Sequence, residues 1–388
     1  MSPILIFFNC YADAVYAIDV LQSDFLSMGL ELFGSPERIH FAFTRLAGGE
    51  IGTRSGRLGN VVKFDSASRD RIDQARIEAY VRHNRITMAF GVDQPVARPG
   101  YAVLRRAGVR RIVSYYGAPM SSVNGEIRLF LKRLEVLLRR KGPDHYIFES
   151  DAMARTATHG RGIPRGRTSV ISLGVDTDFF SPVVDGGGYL SQTLGVPEDR
   201  KVVVYAGHME ERKGVRVIID AASELIERRG RRDVHFLPLG NRPGEEAPYV
   251  ESIRGSTTVK HVTFGGYRRD IALIFPRCHL GVIASTGWDS FTASAVEKAA
   301  SGLPLVVSAL GGLVEAVESG VTGLTSPSGN PKYLADRLQY LLDDEGTRCT
   351  MSKKARQRAV EQFSKERRIK DLAEACQSIY GIAPEHAA

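Results

Sequence analysis

From Leu280 to Gly312 the chain reads LGVIASTGWDSFTASAVEKAASGLPLVVSALGG. Leu280-Gly281-Val282-Ile283-Ala284 is a short apolar run that predicts a buried strand, and the polar run Thr286 to Ser290 that follows predicts a loop. Phe291 to Ala300 then has helical character, Leu303 to Ser308 reads as a second strand, and Gly311-Gly312 closes the stretch. Strand, loop, helix and strand in this order predict a parallel βαβ unit. Asp289 is placed just before a helix N-terminus, where unpaired backbone amides favour phosphate. Glu297 comes eight residues later, about two helical turns, so both carboxylates are expected on one side of the helix. Two acids flanking anion-binding amides suit hydroxyl groups arranged around a diphosphate.

The same alternation extends outward. From Lys201 the runs KVVVYAG, GVRVIIDAASELIERR, VHFLPLG, HVTFGG, RRDIALIFPRC and GGLVEAVESG alternate strand-like and helix-like character around the opening stretch. Val202-Val203-Val204 and Leu305-Val306-Val307 lack in/out alternation, as expected of parallel strands covered on both faces. The second half is therefore predicted to be a doubly wound α/β domain. In the first half, ILIFFN, a helix-like AVYAIDVLQSDFLSM, HFAFTRL, a helix over 69–82, ITMAFG and RRIVSYYG predict another such domain. Gly, Asp and Pro concentrate in 172–182 after the strand-like Ser169-Val170-Ile171 and mark the break between them. After Asn330 the chain reads as helices.

With 388 residues, 43% hydrophobic and 25% charged, the chain has the composition of a globular protein with room for two cores. Met1 to Cys10 lacks the basic region and apolar length of a secretory signal, and no run approaches the roughly 20 apolar residues of a membrane span. Cys10, Cys278, Cys349 and Cys376 form no ligand or disulfide spacing, which fits a reducing cytoplasm. The net charge of +8 is uneven: residues 1–180 hold 25 Lys/Arg against 18 Asp/Glu, and residues 181–388 hold 27 against 26. A basic first half admits two readings, an anionic partner such as a phosphorylated acceptor or a lipid surface, or plain solubility. Residues 126–141, EIRLFLKRLEVLLRRK, predict an amphipathic helix whose apolar side faces the protein's own core or whose cations meet an anionic membrane.

Asp289, Phe291 and Glu297 together resemble the donor-site motif of family 4 retaining glycosyltransferases, an acid, seven residues and Glu. The usual form is Glu-Gly-Phe-Gly-Leu, three residues and Glu; here Asp289 replaces the longer Glu, and Ser290 and Thr292 replace the glycines. Ser172 to Pro182 resembles the family's interdomain signature. The resemblance runs from about Ile112 to Tyr380 and is strongest from Ser169 on. It implies the GT-B fold, two Rossmann-like doubly wound domains with an interdomain cleft. An acceptor-binding domain would span 1–178, a nucleotide-sugar domain 179–364, and a C-terminal helix, 365–388, would cross back to the first domain.

The resemblance also distributes roles. Gly207-His208-Met209-Glu210-Glu211-Arg212-Lys213-Gly214 resembles the family's Gly-Arg, four residues, Lys-Gly element, following a strand where ligands of open α/β sheets bind. Lys213 would pair with the donor diphosphate and offset charge that grows on the departing nucleotide. His208 stands at the family's Arg, with Arg212 beside it as a permanent cation; alternatively Arg212 and Lys213 merely solvate a helix start, although the helix dipole disfavours cations there. Glu297 would hold the ribose and Asp289 the sugar hydroxyls, with Phe291, Thr292 and Ala293 lining the donor. Gly266, Tyr267 and Arg268 resemble the loop that holds the base, and Gly311 and Gly312 would bring backbone amides to the sugar or diphosphate; tight turns explain these glycines equally. Tyr116 stands where relatives carry a His that contacts the donor, and a phenol is a poor base at neutral pH; its other reading is a strand-end core aromatic. Trp288 either shapes the sugar pocket or packs. Most relatives have Gly-Gly after the first strand, where this chain reads Asn9-Cys10-Tyr11-Ala12-Asp13-Ala14, with Asp13 a helix N-cap or an acceptor ligand.

The function implied is a retaining, metal-independent transfer of a sugar from a UDP- or GDP-sugar to a hydroxyl of a glycan, lipid-linked or small-molecule acceptor in glycan, polysaccharide or glycolipid biosynthesis. No cofactor beyond the donor substrate, no DxD metal element and no nucleic-acid partner is implied. The expected location is cytoplasmic, with peripheral contact to the inner face of an anionic membrane as a further expectation. A sugar-nucleotide epimerase or hydrolase on the same scaffold, and a catalytically silent sugar-nucleotide binder, stay open. A nicotinamide oxidoreductase is disfavoured because no GxGxxG opens a helix after a strand.

Overall fold

The computed structural model describes residues 2–11, 16–46, 52–53, 56–120, 126–138, 142–183 and 187–382. The chain forms two compact units, 1–172 together with 366–388, and 173–365.

In the first unit, β1 (Ile4–Phe8), β2 (Ile39–Phe43), a small hairpin of β3 (Gly52–Thr53) and β4 (Gly56–Arg57), β5 (Asn60–Lys63), β6 (Met88–Val92), β7 (Arg111–Tyr116), β8 (His145–Phe148) and β9 (Thr168–Val170) follow one another. Seven of them make one parallel sheet in the order β5-β2-β1-β6-β7-β8-β9. Every residue of β1 is buried, because both faces of the sheet are covered. Ile4, Ile6 and Phe8 point to one face and pack with Phe25, Leu372, Ala373 and Cys376, while Leu5 and Phe7 point to the other and pack with Ile77, Val81, Tyr101 and Leu104. Those partners come from helices α1 (Tyr16–Phe33), α2 (Arg71–His83), α3 (Pro99–Ala107) and the carboxyl-terminal helix Lys365–Tyr380. Helix α2 begins two residues later than the sequence predicts because the Asp70 carboxylate caps it, accepting from the Ile72 amide at 2.8 Å. Helix α1 runs past its predicted end at Met28. It continues through Gly29, whose missing Cβ leaves room for the Ile39 side chain, with Cδ1 2.7 Å from where that atom would sit.

The second unit holds β10 (Lys201–Ala206), β11 (Val234–Leu239), β12 (Leu280–Ile283), β13 (Leu305–Ser308) and β14 (Gly323–Ser326), all parallel in the order β11-β10-β12-β13-β14. Val202 and Val204 face a core with Ala295 and Val296, and Val203 and Tyr205 face the opposite core with Ile218 and Ile219. The predicted linker is tied into this unit. The Val175 amide donates to Phe363 O at 2.8 Å, the Lys365 amide donates to Val175 O at 2.9 Å, and the Arg356 guanidinium gathers the carbonyls of Thr177, Phe180 and Ala300.

The carboxyl-terminal helix closes the first unit. Buried Arg368 donates through Nε to Asp24 at 2.8 Å, through Nη1 to Ser172 O at 2.9 Å and through Nη2 to the Tyr115 hydroxyl at 3.0 Å. That hydroxyl in turn donates to Glu149 at 2.8 Å. Among the described residues no helix is long and apolar enough to cross a membrane.

Candidate functional site

In the second unit the chain leaves β10 for β11 on one side and returns for β12 on the other, so the order reverses between β10 and β12. Open parallel sheets leave a crevice beyond the strand carboxyl ends at such a point. The segments that follow these strands, 207–214 and 284–292, contain Lys213 and Asp289, which the structure brings together. Lys213 Nζ donates to both carboxylate oxygens of Asp289, at 3.0 and 2.9 Å, and the Ser285 hydroxyl donates to Asp289 Oδ2 at 2.7 Å. Asp289 is 2% exposed, so its charge is compensated inside the unit and not by water. Ser285 was not singled out in the sequence; a serine at a strand end has no distinguishing spacing.

Backbone geometry makes this approach feasible. Gly214 has φ +71, and a Cβ there would lie 1.8 Å from Ala284 O. Gly311 has φ +54, and a Cβ there would lie 2.3 Å from Asp289 O. Both glycines are thus required by close backbone contact as well as by left-handed conformation. The Gly312 amide is committed to Asp289 O at 3.2 Å.

The helical relation predicted between Asp289 and Glu297 does not hold. The helix starts at Ala293, and Thr292 before it has φ +56, a left-handed conformation that interrupts helical geometry between the two acids. Asp289 turns back to Lys213 and Ser285, while Glu297, buried at 6% exposure, lies on the helix Ala293–Ala300. The Thr292 hydroxyl is buried without a protein hydrogen-bond partner. A strained residue with an unsatisfied buried hydroxyl is a common mark of a ligand site. Phe291 is a core residue, 5.0 Å from Phe363 between ring centroids, and Ala293 is the first residue of the helix. Lys298, next to Glu297, is fully buried over the Phe275 ring and donates to Ser294; burial lowers its pKa to about 8.

Arg212 stacks on Trp288, its guanidinium carbon 4.4 Å from the ring centroid, donates to Trp288 O at 3.2 Å and pairs with Glu210 at 2.7 Å. Trp288 is thereby held as a packing partner of the 207–214 segment. His208 is exposed, and its carbonyl accepts from the Tyr205 hydroxyl at 2.7 Å. At the far side of β11, the Gly266 amide donates to Asn241 at 2.9 Å and its carbonyl accepts from Gly240. Arg268 is clamped to Asp270, and Tyr267 stands 63% exposed, an open aromatic face.

Tyr116 belongs to the first unit, at the end of β7, with its ring 6.3 Å from that of Phe148. Burial, then the charge of Asp93, raises its pKa above the ordinary phenol value, so the phenol stays protonated and leaves even less phenolate to act as a base at neutral pH. Asp93, just after β6, has φ +51 and accepts from the Gly117 amide at 3.0 Å. Asp13 lies outside the described residues. Among the described residues no cluster of three His, Cys, Asp or Glu could hold a metal.

Residues 200–344 match the family model of glycosyl transferases group 1. The match lies within the second unit. The D-inositol 3-phosphate glycosyltransferase of Corynebacterium efficiens is 35% identical over 195 residues, 49% of this chain and 46% of that protein. That of Corynebacterium diphtheriae is 32% identical over 220 residues, 55% and 50% of the two chains. The chain thus aligns with about half the length of these curated relatives. The crystal structure of Anabaena Alr3699/HepE in complex with UDP superposes with a TM-score of 0.78 at 20% identity, over 97% of this chain and all of that one. A glycosyltransferase from Rickettsia africae gives 0.80 at 15% identity, over 98% and 100%. WaaG, a glycosyltransferase involved in lipopolysaccharide biosynthesis, gives 0.70 at 14% identity, over 97% and 100%. At these identities the likeness establishes the two-domain, Rossmann-like fold.

Proposed function

We propose that the protein is a retaining, metal-independent glycosyltransferase that moves a sugar from a nucleoside-diphosphate donor, a UDP-sugar in the first instance, to a hydroxyl acceptor in glycan or glycolipid synthesis. The observation that carries the proposal is the arrangement at the β10/β12 reversal. A cation, Lys213, is held at the crevice by Asp289, and three residues on from Asp289 stands a strained Thr292 with an unsatisfied hydroxyl. The relatives' names and the UDP in the Anabaena structure support a nucleotide-sugar donor.

In this reading Lys213 exchanges Asp289 for the donor diphosphate, Asp289 and Thr292 turn to sugar hydroxyls, Glu297 takes the ribose and Tyr267 meets the base. The bond between the anomeric carbon and the β-phosphate oxygen breaks, and a bond to the acceptor oxygen forms on the same face. The acceptor proton passes to the departing phosphate oxygen, so no side-chain base is required. Catalysis then rests on positioning and on Lys213 compensating the charge of the leaving group. Acceptor recognition falls to the first unit.

The test is a thermal-shift series with UDP-, GDP- and ADP-sugars, followed by product analysis with the donor that stabilises. A ligand bound at a hundredfold over its Kd stabilises the fold by about 2.7 kcal/mol. One donor class raising the melting temperature, with transfer unaffected by EDTA and the anomeric configuration retained, is the expected outcome. Binding without transfer to any acceptor pool would instead indicate a silent sugar-nucleotide binder, and rapid release of free sugar without acceptor a hydrolase.

A further inference from the structure

Helix α4 (Glu126–Leu138) turns its apolar side to solvent. Ile127, Phe130, Leu131, Leu134, Leu137 and Leu138 are 78, 66, 57, 40, 77 and 71% exposed. At about 100° per residue all six fall within a stripe roughly 120° wide. The opposite side faces the unit: Leu129, Lys132 and Val136 are half-buried, and Val136 packs on the cluster that contains Tyr146, Met153 and Ala157. Polar contacts fix that orientation. Arg133 donates to the carbonyls of Gly160 and His159, and Glu135 accepts from Arg161 at 3.0 Å. Of the two readings of this helix from the sequence, burial of the apolar face in the protein's own core is therefore not the one found. An exposed apolar patch of this kind marks an interaction surface.

The charges select the partner. Arg128 flanks the stripe on one side, Arg133 on the other is held by the Gly160 and His159 carbonyls, and the sequence continues Arg139-Arg140-Lys141. Over 126–141 six cations stand against two acids, one of which, Glu135, is already paired with Arg161. A second copy of the chain would set these cations against themselves. An acyl boundary topped by phosphates satisfies both features, taking the leucines and Phe130 below and the guanidinium groups at headgroup level. We propose that α4 docks the first unit in the interfacial layer of a bilayer rich in anionic phospholipid. At 13 residues, about 20 Å, the helix is too short to span one, and lies in the plane. The docking stands independently of the sugar transfer proposed above.

Co-sedimentation of the full chain with vesicles of phosphatidylcholine alone, or with about a third phosphatidylglycerol, tests it. The wild type is expected to bind the anionic vesicles, less so in high salt, and to ignore the neutral ones. Phe130→Ser and Leu137→Ser should each lower the partition coefficient about tenfold, since each removes an apolar side chain from the contact. Both side chains are exposed, so melting temperature and its shift by nucleotide sugars should stay as in the wild type. The proposal falls if the wild type does not bind anionic vesicles, or if both variants bind as it does. It falls equally if light scattering shows a dimer that Phe130→Ser dissociates, which would make the stripe a self-interface.

Discussion

Lys213 and Asp289 are each other's partner, and any anion that takes Lys213 must compete with a carboxylate already in place. Breaking a buried pair by removing one member leaves the other charge with less compensation. Lys213→Met should therefore destabilise the second unit by about 2 kcal/mol, since Asp289 is the more buried of the two, and should weaken UDP binding tenfold or more. Asp289→Asn should do the reverse for the nucleotide. An amide holds Lys213 less firmly, so UDP affinity is expected to rise several-fold while sugar transfer declines. Calorimetry with UDP measures both, and an affinity that falls equally in the two variants would contradict the competition. The sequence supplied the two charged residues, through their likeness to family motifs, and the loops that bear them. It did not supply their pairing, because Asp and Lys lie 76 residues apart and meet only once β10 and β12 are neighbours.

The strands that carry these loops are pinned by two neutral histidines. His235 of β11 bonds Thr263 at 2.9 Å, and His279, just before β12, accepts from the Val202 amide at 3.0 Å. Burial lowers each pKa to about 4 from an ordinary 6.5, with Arg200 adding to the effect at His235 and Arg348 at His279. The unfolded chain takes up these protons near pH 6.5 and the folded unit only near 4. Stability is therefore full above 6.5 and is lost as pH falls through that window. Urea titrations followed by the emission of Trp288, the single tryptophan and a member of this unit, should show midpoints declining from pH 7 to 5. His235→Asn should reduce that slope even where it lowers stability at pH 7; an unchanged slope would reject the assignment. Element order was readable from the sequence because apolar runs and helical periods alternate. Direction was not: the stripe of α4 is plain in the spacing of Ile127, Phe130, Leu131 and Leu134, but periodicity does not say which side meets the core. Nor does it predict the break at Thr292, where the sequence reads as an uninterrupted helix start.

The first unit is discontinuous in sequence, since 366–388 supplies part of its core. Truncation after Lys365 removes Leu372, Ala373 and Cys376 from contact with β1 and α1, and Arg368 from Asp24 and Tyr115. Losses on this scale exceed the net stability of an ordinary domain, so the truncated chain should present an unfolded first unit and a second unit that is largely intact. Limited proteolysis would show cuts confined to 1–172, and equal sensitivity in both units would refute the division. A ribosome delivers residues in one direction only. The portion synthesised earliest must wait, with β1 and α1 uncovered along the face that Leu372 and Cys376 later seal, until the last helix has emerged, so the unit begun first is finished last.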